Sequence, residues 1–256
     1  MGVSPRVASR GEGEQQMELV DQYRYLRVVD VSDAMDGLGY FDLGLMDPEI
    51  RPLWQGMRFW GPAVTLRCVP SNRPMWKLES TEDIVADHAR WYGRYPNPVN
   101  LREQVRSGCV IVTDTGGARE TGYWGSNNAM GMVLAGAAGI ITDGQCRDTQ
   151  ELTLQRTPIC SRGRGRTIIP GRIMEIEANV PIGCGGVQVC PGDIVGCDDD
   201  GVIVVPQDIA GDVARHARAI LLADMRGRRE LYERLGLPED ETVAVEQVEA
   251  YYAGLN

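Results

Sequence analysis

Apolar positions along the chain follow two periods, and the switches between them mark out its elements. Residues 25–38 read as a short helix, with Ser32-Asp33 in its first half and Gly37-Leu38-Gly39 at its end. The stretch Gly61-Pro-Ala-Val-Thr-Leu-Arg-Cys-Val69 alternates and is β-branched, which predicts a strand. Residues 70–100 keep neither period. Trp76, Trp91, Tyr92 and Tyr95 stand there among charges and prolines, with a candidate helix over 84–91. A connection beyond about 12–15 residues is usually functional or disordered, and this one is expected to be a flap inserted near a site mouth.

From Gly108 the rhythm becomes strand, glycine turn, helix, strand. A strand is predicted over 109–113, ending in Asp114-Thr-Gly-Gly117, and small and apolar residues over 127–135 fall at helical spacing. Ala138-Gly-Ile-Ile-Thr142 reads as a strand buried on both faces. The chain is then expected to turn at Asp143-Gly144 and to enter a helix running from about Asp148 to Arg156. Further strands are predicted over 158–160, 175–180, 186–190, 193–197 and 198–205, with tight turns at Pro191-Gly-Asp193 and Asp200-Gly201. Ile209, Val213, Ala217, Ile220 and Leu221 follow helical spacing, so 207–235 is an amphipathic helix with a candidate break at Gly227, and 242–253 makes another. No internal repeat occurs. The expected organisation is a polar N-terminal tail over 1–18, one α/β domain over 19–206, and C-terminal helices over 207–256.

Composition narrows the function classes. The 256 residues carry 26 Lys and Arg against 36 Asp and Glu, a formal charge of −10, and phosphate-neutralising proteins usually show the opposite balance. Nucleic acid is therefore excluded as the expected partner. No run of about 18 apolar residues occurs, so no membrane span is expected, and a cytoplasmic protein is. The seven cysteines form no C-x-x-C pair, which fits buried core thiols better than a disulfide framework or a zinc site. With only His88 and His216, any catalysis has to rest on carboxylates, arginines and backbone amides.

Several motifs have ordinary explanations. Asp198-Asp199-Asp200-Gly201 lacks the spaced oxygens and closing Glu of a calcium loop and reads as a solvated turn. Arg162-Gly-Arg-Gly-Arg166 could meet a phosphate but reads more readily as a flexible basic surface turn, and Gly183-Cys-Gly-Gly186 fits a close approach of ligand to backbone and a connection between strands equally well. The informative segment is Trp124-Gly-Ser-Asn-Asn128 followed by Gly139-Ile-Ile-Thr-Asp-Gly-Gln-Cys-Arg-Asp148. Here Arg147 and Asp148 emerge side by side at a helix edge beyond a strand's carboxyl end, where α/β proteins commonly bind ligands. Such a carboxylate can ligate a hard divalent cation, and the guanidinium can hold a substrate carboxylate or a developing oxyanion. The same residues also admit a plainer reading, in which Asp148-Thr-Gln-Glu151 is a capping box and Arg147 a surface partner.

Ser32-Asp33-Ala34-Met35-Asp36, Gly61-Pro-Ala-Val-Thr65, Asp143-Gly-x-x-Arg-Asp148 and Val180-Pro-Ile-x-Cys-Gly-Gly186 occur in this order. Pro191-Gly-Asp193 and Asp199-Asp-Gly-Val-Ile-Val-Val-Pro206 follow. Together they resemble the RraA-like family, which holds the regulator of ribonuclease activity A and the class II 4-hydroxy-4-methyl-2-oxoglutarate/4-carboxy-4-hydroxy-2-oxoadipate aldolases. The resemblance covers roughly residues 25–235. It implies an α/β swivelling β/β/α fold in a homotrimer or homohexamer, with active sites between subunits. It also implies a divalent cation, Mg²⁺ or Mn²⁺, and chemistry on pyruvate-like 2-oxo acids. By position in the motif, Asp148 is the implied metal ligand and Arg147 the substrate-binding, enolate-stabilising residue. The stretch Gly125, Ser126, Asn127 and Asn128 would present amides to the substrate carboxylate.

Three departures set this chain apart. Ser126 stands where the aldolases usually carry an acidic residue, residues 70–100 are longer than the corresponding segment, and Arg172 lies near a lysine of some members. The expected function is a metal-dependent carbon–carbon lyase. It would perform retro-aldol cleavage of a 4-hydroxy-2-oxo acid, decarboxylation of an oxaloacetate-type acid, or both. The alternative is a non-catalytic interaction protein that regulates an RNA-degrading enzyme.

Overall fold

The structure is a computed structural model that describes residues 10–72, 77, 80–82, 99–118 and 120–255. Most of the expected flap over 70–100, including Trp76, Trp91 and the candidate helix 84–91, lies outside the described residues, as does His88. Where a featureless polar tail is expected over 1–18, the chain instead forms helix α1 (Arg10–Asp21). Its Gln16 Nε2 donates to the Gly192 carbonyl at 3.1 Å, and Met17 closes over Gly108.

Helix α2 (Val28–Gly37) leads to the two-residue strand β1 (Arg51–Pro52) and the long strand β2 (Phe59–Pro70). After α3 (Leu101–Gln104) come β3 (Val110–Asp114), β4 (Gly122–Trp124), α4 (Ser126–Leu134), β5 (Gly139–Cys146), α5 (Thr149–Leu154) and β6 (Ile159–Arg164). The β-rich remainder is β7 (Ile173–Ala178), β8 (Ile182–Cys184), β9 (Val187–Val189), β10 (Ile194–Asp198) and β11 (Gly201–Val205). Helices α6 (Ala210–Leu235) and α7 (Val245–Ala253) close the chain, with a 3-10 turn, Glu241–Val243, between them.

One mixed sheet runs β1-β6-β5-β3-β2-β10-β11, with β4 beside β5 and β7 beside β2. Its middle is parallel, β2 with β3, β3 with β5, and β5 with β6, while β10 and β11 add antiparallel. The β-strand period of two then sorts side chains onto opposite faces. Val110, Val112, Ile141, Val202 and Val204 face an interior core with Phe59, Cys160, Val195 and Cys197. Their neighbours Ile111 and Ile140 face outward, where Trp124, Ala129 and Leu152 of the β4–α5 segment cover them. Ile203 and Val205 meet a second outer layer, in which Val31 and Met35 of α2 pack with Val213, Ala217 and Leu221 of α6. The sheet nearly closes on itself, because β1 comes into contact with β11.

Several expectations change in detail. The chain does not turn at Asp143-Gly144: β5 continues to Cys146, and its pairing with β6 shifts register between Thr142 and Gln145. Arg162-Gly-Arg164 is not a flexible turn but the end of β6, held because Arg162 donates to the Asp143 carbonyl at 3.0 Å and pairs with Asp47 at 2.6 Å. Gly227 does not interrupt α6, whose buried stripe from Val213 to Met225 supplies more than a single glycine costs. The α5 helix ends at Leu154, not Arg156, which adopts a left-handed φ of 54°. Asp198-Asp199-Asp200-Gly201 is a turn as expected, though Asp198 is buried and accepts from the Val28 amide at 2.8 Å. Six of the seven cysteines are buried, and Cys190 is half-buried. Among the described residues no helix is long and apolar enough to cross a membrane.

Candidate functional site

Arg147 and Asp148 leave the carboxyl end of β5 just before α5, and β4 lies alongside. The Arg147 amide donates to the Trp124 carbonyl at 2.8 Å, which fixes the chain where it passes the head of α4. Two glycines on the facing segment make the close approach possible. A Cβ at Gly122 would sit 2.7 Å from Arg147 Cβ, and one at Gly125 would sit 2.7 Å from Asp148 Oδ2.

Asp148 occupies the residue before α5 but does not cap it, so the capping-box reading fails. Its φ of 54° is left-handed, which Asp tolerates better than most residues, and its side chain bonds no amide of α5. The carboxylate points across to the head of α4 instead, where Oδ2 accepts from the Ser126 amide at 3.0 Å and the Ser126 hydroxyl lies at 3.4 Å. Arg147 Nε donates to Oδ1 at 3.2 Å. Both side chains are about one-third exposed, 34% for Arg147 and 33% for Asp148. Partial burial pushes the Asp148 carboxyl up, but the Ser126 amide and the Arg147 guanidinium outweigh it and hold the group below the usual carboxylate range.

The structure brings Gly125, Ser126, Arg147 and Asp148 together. Asn127 is exposed on the first turn of α4. Asn128 turns back onto its own loop, where its Oδ1 accepts from the Gly125 amide at 2.8 Å and its Nδ2 donates to the Tyr123 carbonyl at 3.2 Å. Its side chain is therefore engaged in shaping the loop, and the Gly125 amide is engaged with it.

A cavity of about 710 Å³ is lined by Glu49, Gly117, Asp143, Gln145 and Arg162 among others, and none of the corner residues Gly125, Ser126, Arg147 or Asp148 is among its lining residues. Gln145 is two residues before Arg147 and pairs in register with Gly122, against which Arg147 packs. Asp143 is buried and accepts from the Thr115 amide and hydroxyl and the Gly117 amide, so it ties down the glycine loop after β3. Gln145 Oε1 is buried without a hydrogen-bond partner. Sequence reasoning missed Glu49, Gln145 and Arg162, since nothing in the local pattern joins them before the sheet is assembled. A larger cavity of about 800 Å³ lies elsewhere, between Leu43, Cys190, Pro191 and Pro206. Its buried carboxylate, Asp193, is taken up by the Cys190 and Gln207 amides.

Among the described residues no three His, Cys, Asp or Glu side chains gather around a common point. The donor set at this corner is a single hard carboxylate, partly open to solvent. That fits a cation of the Mg²⁺ kind, which keeps several waters and takes only one or two protein carboxylates. It does not fit a closed structural site.

The family profile described as RraA-like, Aldolase/RraA, matches residues 28–204. Protein DlpA of Legionella pneumophila is 28% identical over 223 residues, which is 84% of this chain but 32% of that protein. The chain thus spans about a third of DlpA. A protein of Halalkalibacterium halodurans named as a candidate 4-hydroxy-4-methyl-2-oxoglutarate aldolase is 30% identical over 205 residues, 79% of this chain and 83% of that protein. Among solved structures, Streptomyces coelicolor RraAS2 superposes with a TM-score of 0.66 at 26% identity, covering 88% of this chain and 99% of that one. It is described as an unusual member of the RNase ES inhibitor RraA protein family.

Proposed function

Because the chain belongs to the RraA-like family, Aldolase/RraA, we propose that it is a divalent-metal-dependent carbon–carbon lyase acting on a 2-oxo acid. The observation that carries this reading is the pairing of a guanidinium and a carboxylate, Arg147 and Asp148, at the head of α4. Retro-aldol cleavage and decarboxylation of a 2-oxo acid both build negative charge on the C2 oxygen as an enolate forms. Asp148 would hold the cation, Mg²⁺ or Mn²⁺, which supplies Lewis-acid stabilisation of that charge when bound. Arg147 adds a positive charge on the same side, and Gly122 leaves room for its stem against β4. Gly125 and Ser126 shape the floor on which the substrate carboxylate rests. Asn127 remains available at its rim, while Asn128 acts through the loop it braces.

Ser126 supports a narrower expectation. The site has one carboxylate fewer than the aldolases the chain resembles, so cation binding should be weak and turnover of dianionic substrates poor. We also propose a homotrimer or homohexamer. Met130, Val133 and Leu134 on α4 and Leu154 on α5 are exposed on the two helices that frame the site, with Leu134 83% and Leu154 77% exposed. A second copy of the chain covering that face would enclose the corner. The alternative is regulation of an RNA-degrading enzyme, favoured by the likeness to RraAS2.

Release of pyruvate from oxaloacetate and from a 4-hydroxy-2-oxo diacid, followed with and without Mg²⁺ or Mn²⁺, tests the reading. Metal-dependent pyruvate release supports it. No release from either substrate with either metal would favour the regulatory alternative.

A further inference from the structure

The interior core holds a feature that the proposed chemistry does not use. Cys160 of β6 and Cys197 of β10 are both 0% exposed, and their sulfurs lie 2.6 Å apart. That is about 1 Å or more inside ordinary nonbonded contact, ~3.5–4.0 Å, and about 0.6 Å beyond a sulfur–sulfur bond of ~2.0 Å.

The position of the pair matters as much as the spacing. In the order β1-β6-β5-β3-β2-β10-β11 these strands lie near opposite ends of the sheet, with three strands between them. Pro52 of β1 pairs with Cys160, and Val202 of β11 pairs with Cys197. The two cysteines therefore face each other across the seam where the sheet bends round to meet itself. Among the described strands β1 and β11 share no hydrogen-bond ladder. On the outside the seam is crossed by Arg51, whose Nη1 donates to the Asp200 carbonyl at 2.5 Å. Inside, it is crossed by the two sulfurs. The other buried cysteines are engaged elsewhere: Cys146 with the Ser161 hydroxyl, Cys184 with the Thr113 carbonyl, and Cys68 and Cys109 in the outer core.

We infer that Cys160 and Cys197 form a disulfide that staples the seam of the sheet where backbone pairing is missing. The oxidant is a small-molecule disulfide. One protein thiolate attacks it, releases one small thiol and forms a mixed disulfide. The second protein thiolate then displaces the other small thiol, so the two cysteine sulfurs lose two electrons and two small thiols leave with the protons. Because both sulfurs are sealed in the core, the exchange takes place during folding, before β10 and β11 close over β6, and the finished bond is shielded from reductant.

The test refolds the fully reduced chain from denaturant with oxidised glutathione. The product is then denatured and alkylated without reductant, and its peptides are mapped by mass spectrometry. The expected product has five of the seven cysteines alkylated and a peptide containing Cys160 joined to one containing Cys197. Dithiothreitol should break that bond only when denaturant is present. The bond encloses a loop of 37 residues, so breaking it should lower the thermal midpoint by roughly 10 °C. Alkylation of all seven cysteines, linkage of any other pair, a mixed disulfide only at half-buried Cys190, or an unchanged midpoint after reduction would each overturn the inference. None of these readings depends on catalytic activity.

Discussion

Replacing Asp148 by Asn separates the structural and chemical duties of one carboxylate. The variant keeps an oxygen that can accept from the Ser126 amide, and Asn tolerates the left-handed φ of 54° as well as Asp does. It loses the negative charge at the head of α4, worth about 0.3–1 kcal/mol at an exposed helix end. It also loses the charge partner of Arg147, worth about 0.2–1 kcal/mol for a pair that is one-third exposed and screened by solvent. The stability cost should therefore stay below about 2 kcal/mol, a fall in midpoint of no more than about 4–8 °C for a chain of this size. Cation binding should fall much further, by at least about ten-fold, or 1.4 kcal/mol. Pyruvate release should fall by about 10²-fold or more, the usual scale for losing a group that stabilises a developing oxyanion. Calorimetric titration with Mn²⁺, a coupled pyruvate assay and a thermal melt measure the three quantities. The pH dependence adds a sign. In the native state the Asp148 carboxyl lies below its unfolded value, so its contribution is complete above about pH 4 and is lost as pH falls through the native value. The Asn variant should lack that part of the acid limb. A melt lowered by more than about 3 kcal/mol with Mn²⁺ affinity and turnover unchanged would show that Asp148 only braces α4.

Gly125→Ala keeps every polar atom but places a methyl 2.7 Å from Asp148 Oδ2, so Mn²⁺ affinity should drop several-fold in calorimetry while the backbone, at φ −110°, accepts Ala without strain. An affinity equal to the parent's would mean that the carboxylate is free to move without cost. Ser126→Asp should set a second carboxylate beside Asp148, because the Ser126 hydroxyl is already 3.4 Å from Oδ2. The variant should melt lower without metal and bind Mn²⁺ about ten-fold tighter; unchanged binding would place residue 126 off the cation. Leu134→Glu with Leu154→Glu should convert a trimer or hexamer to monomers in light scattering, and a wild type that is already monomeric removes the basis for a shared site. Glu246, held at about 2 by its hydrogen bonds to Arg229, stabilises the fold above about pH 4.5 and loses that contribution as pH falls toward 2. Glu246→Gln should flatten the acid melt in that window, and an identical acid limb would show that the pair contributes nothing.

The elements were legible wherever one period ran long enough. Strands β2, β3, β5, β10 and β11 and helix α6 announce themselves by β-branched runs or by an apolar stripe, since each buries a face against a single layer. Helix α1 was not legible. Its first residues, Arg10-Gly-Glu-Gly, read as a tail, and what anchors it is Met17 over Gly108 and Gln16 on Gly192, contacts more than 90 residues away in sequence. The end of β5 failed for a related reason. Asp143-Gly144 carries the composition of a turn, yet the Asp143 carboxylate is satisfied by the Thr115 and Gly117 amides, so the strand can run straight through. At the site, Arg147 and Asp148 could be picked out by their place after a buried strand, but the helix that the carboxylate serves could not.

That last point ties the fold to the chemistry. A carboxylate that capped α5 would spend its oxygens on the amides of its own helix and leave α4 and Arg147 unconnected. Because Asp148 is held in the left-handed region, its side chain swings away from α5 and joins three segments: β5 through Arg147, the head of α4 through Ser126, and β4 through the glycines that make room for both. Oδ1 accepts from Arg147 Nε, and Oδ2 accepts from the Ser126 amide with the Ser126 hydroxyl also beside it. If Asp148 holds the proposed cation, that charge would draw on the same carboxylate that engages Arg147, would weaken the ion pair and would leave the guanidinium freer to meet an anionic substrate. On the proposed reading, metal and substrate should then bind with positive coupling. Calorimetry of pyruvate with and without saturating Mn²⁺ measures that coupling; equal pyruvate affinity in the two titrations would show that Arg147 is already free.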